Sequence, residues 1–353
     1  MRLPHLPALP LALSLALATG CAGEDAGGPS DGAGDGAGLA AARYEVTTVI
    51  DATGALPPAA GEAIELLGGL SEDPAGTLFA LLEAADVPLD WIPGALRDDV
   101  EGWINDYVFD RLYDGAPITE EIARWADDLS AMLTHFEISS ELDLGAADAA
   151  GGTDANHTLA GVAFDWRGQR QMVDTPAIVD QLTIARDVTC NVSIDRGEAA
   201  IDIGDHAFRM PLGDFAVLGF NAGLEQLAGF SDLRDALGSF IDCAGLADDL
   251  SSRCLGPVCV GHRDEIESMC LTGIDLAASA IEERIASIDY AELRLSGGRA
   301  ALAGGDKQDA ARATTFDRME DGTWQAAVDV DGAAVPVGAS FTGRRIGASG
   351  APE

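Results

Sequence analysis

Apolar positions along this chain follow a period of two, then a period close to that of a helix, and the exchange happens twice. Tyr44, Val46, Thr48 and Ile50 fall on one side of the first run, as in a half-buried strand. Ala55 to Glu83 is rich in Ala and Leu, and Gly68-Gly69 and Pro74 divide it into short helices. From Pro93 to Tyr113 the sequence predicts an amphipathic helix. Leu96, Val100, Trp103, Ile104, Tyr107, Val108 and Leu112 recur at three and four, while Asp98, Asp99, Glu101 and Asp106 stay out. Pro117 opens another helix, at a position where its missing N–H costs nothing. Its stripe is Ile118, Ile122, Trp125, Ala126, Leu129, Met132 and Leu133.

The period then returns to two. Phe136, Ile138, Ser140, Leu142 and Leu144 alternate with Glu137, Ser139, Glu141 and Asp143. After a loose loop from Gly145 to Asn156, the next inward row reads Thr158, Ala160, Val162, Phe164 and Trp166. Arg167-Gly168 reads as a hairpin turn, with a return through Gln169 to Thr175. Val188, Cys190, Val192 and Ile194 form another row, and Asp195-Arg196-Gly197 turns the chain into Ala199, Ile201 and Ile203. The later strands run through Leu293 and Leu295 to a Gly297-Gly298 turn, then near Arg312–Asp317 and Thr323–Val330. The last hairpin points Trp324, Ala326, Val328 and Val330 inward, turns at Asp331-Gly332, and returns through Val335, Val337, Ala339 and Phe341.

Between the two strand groups, residues 231–288 read as two helices. Ser231 caps the first, whose stripe is Leu233, Leu237, Phe240, Ile241 and Ala244. The second carries Ile266, Met269, Ile274, Ala277, Ile281, Ile285 and Ile288. Cys243 and Cys254 are eleven residues apart, as are Cys259 and Cys270. That spacing is about three helical turns, so each pair shares a helix face. The stop signal Cys254-Leu-Gly-Pro-Val-Cys259 folds the chain back. Cys254 then faces Cys259, Cys243 faces Cys270, and nested disulfides follow. Cys190 is left as a buried free thiol. Consecutive hairpins imply antiparallel pairing. The expected fold is α+β: an antiparallel multi-stranded sheet with amphipathic helices and a central disulfide-stapled helical hairpin. One domain is expected over 43–346, with a short disordered tail at 347–353.

Composition sharpens the picture in two respects. Hydrophobic residues make up 47%, enough for a real core, and the formal net charge is −38. Such a surface repels nucleic acid and anionic headgroups, which excludes both as partners.

Disulfides need an oxidising compartment, and the leader supplies one. Arg2 gives a thin positive start, and Leu6 to Leu17 is an apolar run too short to span a bilayer. It ends in Leu17-Ala18-Thr19-Gly20-Cys21. This resembles the lipobox of bacterial lipoproteins, with Ala18 where that family prefers Leu. The resemblance covers residues 1–20 and Cys21 only. It implies acylation of Cys21, cleavage before it, and an anchor in the membrane; Ala22 in place of Asp favours the outer membrane. Ala22 to Ala41 is rich in Gly, Asp and Ser, so residues 21–42 read as a disordered tether reaching roughly 25 Å.

Chemistry is sparse by comparison. The chain has no Gly-x-Ser-x-Gly elbow, P-loop, His-Glu-x-x-His or dinucleotide fingerprint. His135, His157, His206 and His262 include no pair at metal spacing. Asp205 beside His206 suggests a general base, but neighbours on a strand point to opposite faces. Four cysteines on two helices lie too far apart for one zinc ion. Asp329-x-Asp331-Gly332 resembles the start of a calcium loop, yet its twelfth position is Ser340, so it reads as a turn. No cofactor or metal is expected. Trp103, Trp125 and Trp166 are candidates for lining a ligand site, because aromatics bury large area at low entropic cost. The functional expectation is an envelope lipoprotein that acts by binding or in a structural role. A carrier of apolar ligands and a hydrolase with an unrecognised site are the alternatives.

Overall fold

The structure is a computed structural model that describes residues 40–90, 92–177, 183–195, 198–288, 291–305, 315–330 and 332–347. The leader, Cys21, the tether up to residue 39, Trp91, Asp331 and the tail beyond residue 347 lie outside the described residues. The chain begins with β1 (Ala42–Asp51) and continues into α1 (Pro58–Glu72), α2 (Pro74–Ala84) and α3 (Arg97–Phe109). A small hairpin, β2 (Leu112–Tyr113) and β3 (Ala116–Pro117), leads to α4 (Ile118–Thr134). Then come β4 (His135–Leu144), β5 (Gly152–Trp166), β6 (Gln169–Asp174), β7 (Ile184–Asp195), β8 (Glu198–Ile203) and β9 (His206–Met210). The second helical segment holds α5 (Leu212–Ala228), α6 (Leu233–Phe240) and α7 (Cys243–Ser251). The hairpin β10 (Cys254–Leu255) and β11 (Val258–Cys259) joins it to α8 (Arg263–Ala286). Finally come β12 (Ala291–Ala303), β13 (Arg318–Val330) and β14 (Ala333–Gly347).

The fold is α+β, and its strands form a closed eight-stranded barrel. The order is β13-β14-β1-β4-β5-β7-β8-β12, and β12 pairs back onto β13. Every ladder is antiparallel. Closure removes the free edges that an open sheet exposes. It also joins the two strand groups: β1 pairs β14 from Arg43 against Gly347 to Asp51 against Gly338, and β8 pairs β12. Two further strands of the same sheet lie off the ring. β6 pairs the second half of β5, and β9 pairs the first half of β12. With eight strands the bore is about wide enough to be filled by side chains, and it is filled. Tyr44, Val46, Ile50, Leu142, Ile201 and Phe341 are all buried.

Three expectations about the strands change. Gly297-Gly298 is not a turn; β12 runs through it, with register shifts between Ser296 and Ala301. No strand covers residues 315–317, and β13 starts at Arg318. The inward row expected along β5 is out of phase at its start. The β4–β5 register passes from Ser139 opposite Gly161 to Ser140 opposite Leu159, which leaves Ala160 as an extra residue. Such a bulge moves every preceding side chain to the other face. Ala155, His157 and Leu159 therefore point in, while Val162, Phe164 and Trp166 keep their expected burial.

The helices pack mainly around α8, which contacts α1, α2, α5, α6 and α7. Ile266, Ile274, Ala277, Ala278, Ile281 and Ile285 are all buried along it. The structure links Cys243 to Cys270 and Cys254 to Cys259, the pairs given by the matched spacing. The helices themselves are shorter than expected. The first is broken into α6 and α7 where Asp242 caps the second piece through Gly245 N–H. Cys254 and Cys259 sit opposite each other on the exposed β10–β11 hairpin rather than on helices. Asp232, not Ser231, caps α6, accepting from Asp235 N–H. Cys190 is buried and free. β1 begins at Ala42 and β14 ends at Gly347, each one residue outside the span 43–346.

Candidate functional site

Two features of the barrel could carry function: a cavity where the helices meet one end, and a polar chain inside the bore. The cavity has a volume of about 330 Å³. Its walls come from every part of the chain that converges there. Ala52 and Ala55 follow β1, Pro58, Ala59 and Glu62 open α1, Leu133 ends α4, and Phe136 starts β4. Leu212 starts α5, Ile288 follows α8, and Val328 and Asp329 lie near the end of β13. Most of its lining side chains are apolar, but Ser287, Glu62, Asp329 and exposed backbone make close to half of the wall polar. Glu62 accepts from Arg284 at 3.2 Å and Asp329 from Arg294 at 3.3 Å, so both acids are already neutralised. A concavity of this size that combines apolar side chains with polar groups is a usual form of a small-molecule site.

The polar chain lies deeper. Ser140 is four residues along β4 from Phe136, on the same face, and its carbon framework belongs to the apolar row of that strand. The bulge at Ala160 turns His157 inward to meet it, with His157 Nε2 2.8 Å from Ser140 Oγ. His157 Nδ1 is 2.8 Å from Nε2 of His206, the first residue of β9. His206 Nδ1 is 2.8 Å from the Gly204 carbonyl. A carbonyl can only accept, so His206 carries its hydrogen on Nδ1 and its Nε2 is an acceptor. His157 Nδ1–H then donates to His206, and Ser140 O–H donates to His157 Nε2. Burial pushes the His157 imidazole well below its ordinary range, and the neighbouring His206 adds to the effect. Burial also lowers His206, opposed by the Gly204 carbonyl and by Asp205. Both rings are therefore neutral at pH 7.

Aromatic side chains seal this chain. Phe208 sets its ring near the edge of both imidazoles, at 4.8 and 5.5 Å between centroids. Trp324 lies 5.4 Å from His206 and stacks on Phe341 at 4.6 Å. Gly298 makes room for it: a Cβ there would lie 2.0 Å from the indole ring. Trp324 Nε1 is buried without a hydrogen-bond partner among the described residues. Asp205 points the other way and accepts from Gly297 N–H, as expected for the neighbour of an inward residue on a strand.

Nucleophile, base and orienting group stand in the order of a catalytic serine triad, with a second histidine where an acid usually stands. A reacting carbonyl, however, needs space beside the serine. Ser140 and His157 are each 1% exposed, and neither lines a described cavity. Cys190 is no nucleophile either, since burial pushes its thiol up to about 12.

The predicted ligand-lining residues lie elsewhere. Trp125 is core: it stacks on Phe240 at 5.1 Å, and its Nε1–H donates to the buried Glu121. Trp166 is core as well, packed edge-on against Phe220 and seated where Gly223 leaves space. Trp103 is half-buried, with the Arg253 guanidinium 5.5 Å above its ring. None of the three lines the described cavities. Trp125 meets Phe240 of a neighbouring helix, and Trp166, on β5, meets Phe220 of α5. The sequence reading missed Ser140 and His157 as a pair. The signal in hand was Ser140 itself, a polar residue at an inward position of an apolar row.

Among the described residues no group of three or more His, Cys, Asp or Glu could hold a metal ion, and no helix is long and apolar enough to cross a membrane. No family model, no curated protein and no solved structure matches this chain.

Proposed function

We propose that this chain is an envelope lipoprotein, anchored through Cys21, whose folded part binds a small apolar ligand in the cavity between the barrel end and the helices. The cavity carries the reading. Leu133, Phe136, Leu212, Ile288 and Val328 keep a concavity in place where close packing would otherwise fill it. The lipobox-like end of the leader supports the anchor. The two arginine-paired carboxylates at the rim favour a ligand that presents no strong charge of its own. Binding is preferred to hydrolysis because the serine best placed to act as a nucleophile is sealed. Mass spectrometry of the intact protein, purified gently from membranes, tests both halves. The expected result is lipid mass on the N-terminal Cys21 peptide and a small apolar molecule released on denaturation. A soluble, unacylated protein would overturn the anchor, and one that neither retains nor takes up any apolar molecule would overturn the binding role.

A further inference from the structure

Among the described residues the two imidazoles inside the barrel hydrogen-bond only to each other and to neutral groups. His157 meets Ser140 and His206, and His206 meets His157 and the Gly204 carbonyl. In the neutral state every hydrogen in the chain points one way, from Ser140 toward Gly204. The far end offers an alternative. The Val46 carbonyl lies 3.3 Å from Ser140 Oγ and can accept the hydroxyl hydrogen. The chain can therefore also run in the opposite sense. His206, doubly protonated, then donates from Nε2 to His157 Nδ1. His157 donates from Nε2 to Ser140 Oγ, and Ser140 donates to Val46.

We propose that Ser140, His157 and His206 form a one-proton acid switch in the barrel: the folded protein takes up a single proton, which reverses the two hydrogen bonds among His206, His157 and Ser140 and turns the Ser140 hydroxyl to the Val46 carbonyl. The balance is simple. The His157 hydrogen passes from Nδ1 to His206 Nε2, and one proton from water ends on His157 Nε2. No other bond changes, and no polar atom of the chain loses its partner in either state. A second proton has no place, because two N–H groups would then face each other across 2.8 Å.

The surroundings allow little else to titrate with the pair. On β4 the neighbours are Ser140 and Leu142, and on β7 they are Ala185 and the neutral Cys190 thiol, which lies against the Gly204 backbone. On β12 and β13 they are Leu295 and Trp324. Asp205 is the charged group that acts on His206, and it favours the proton there. The sign of the effect follows from burial. Both rings hold protons less readily in the fold than in the unfolded chain, so their stabilising contribution is complete above about pH 6.5 and falls as the pH drops below it.

Imidazole nitrogen NMR on the intact chain, from about pH 8 to pH 4.5, decides the matter. The expected result is one shared transition in which the His157 hydrogen moves from Nδ1 to Nε2 while the amide spectrum stays folded. Rings that remain neutral until the barrel unfolds, or that titrate independently, overturn the switch. His206→Gln gives a second measurement, since its side-chain oxygen can still accept from His157 but cannot take the proton. Between pH 6.5 and the transition seen by NMR, the unfolding constant of the wild type should rise more steeply than that of the variant, by up to about tenfold per pH unit, and below the transition, once the folded protein holds its proton, the two slopes should converge. Equal slopes above that transition, or a wild-type slope that stays steeper below it, contradict the proposal. If the variant fails to fold, the NMR titration of the wild type decides alone.

Discussion

His157 Nδ1 lies 2.8 Å from His206 Nε2, although the two residues are 49 positions apart. The contact exists because one extra residue, Ala160, shifts the phase of β5. Removing the hydroxyl that completes the chain should be felt directly. Ser140→Ala leaves His157 Nε2 buried without a donor, a loss of about 1–3 kcal/mol. Urea denaturation at neutral pH measures it. A change under about 0.5 kcal/mol, the size of an ordinary surface substitution, would mean the hydroxyl does not serve the imidazole.

The seal over the pair makes a second prediction. Gly298→Ala places a methyl group inside the van der Waals radius of the Trp324 ring. Overpacking of this kind costs about 1–3 kcal/mol. Near-ultraviolet circular dichroism should report the displaced indole alongside the lowered urea midpoint. A variant with wild-type stability and an unchanged aromatic spectrum would show that β12 and β13 are not this close.

Much of this architecture was legible in the sequence, and the exceptions have physical causes. Alternation located β1, β4, β7 and the β13–β14 hairpin because one face of each strand is buried and the other wet. Equal cysteine spacing gave both disulfides although α7 stops at Ser251, since residues equidistant from a turn meet in a helical or a strand hairpin alike. The bulge at Ala160 could not be read, because nothing in the local pattern marks an extra residue, and with it went the inward face of His157. Closure was also invisible. It depends on pairings such as Tyr44 with Arg345, whose partners are set by the whole ring. The tryptophans could not be assigned from sequence for a simpler reason. Helix–helix and sheet–helix contacts select the same large apolar side chains as ligand sites do.

Glu121 should prove costly to strip of its main partner. It is buried, accepts from Trp125 Nε1–H and pairs with Arg167 at 2.8 Å, while the more exposed Arg124 lies at 3.1 Å. Arg167→Ala leaves the carboxylate with the weaker cation alone, a loss on the order of 3 kcal/mol. The double variant with Glu121→Gln should recover much of it, as read from denaturation curves. No recovery would mean that Arg167 acts through Asp128, which it also pairs at 2.8 Å, or through the β5–β6 turn rather than through Glu121.

The two disulfides should separate by accessibility. Cys254 and Cys259 are exposed, whereas Cys243 and Cys270 are buried. A mild reductant is expected to open the first while the protein stays folded, and the second only on unfolding. The wide link, with a sequence separation of 27, contributes about 3.5 kcal/mol in the chain-entropy model. Non-reduced peptide mapping with timed alkylation checks the order. Any link that includes Cys190 would contradict the core packing around it.

Ala59 is the position from which the binding role can be tested most directly. It lines the cavity from the first turn of α1 and is only half-buried, so a larger side chain can enter the void without displacing the core. An apolar reporter dye titrated into the native protein should bind saturably at one site. Ala59→Trp should abolish that binding while leaving the urea midpoint within the range of a surface substitution, and Trp103→Phe should leave binding unchanged. Saturable binding that survives Ala59→Trp, or no saturable binding by the wild type, would contradict the assignment of this cavity as the ligand site.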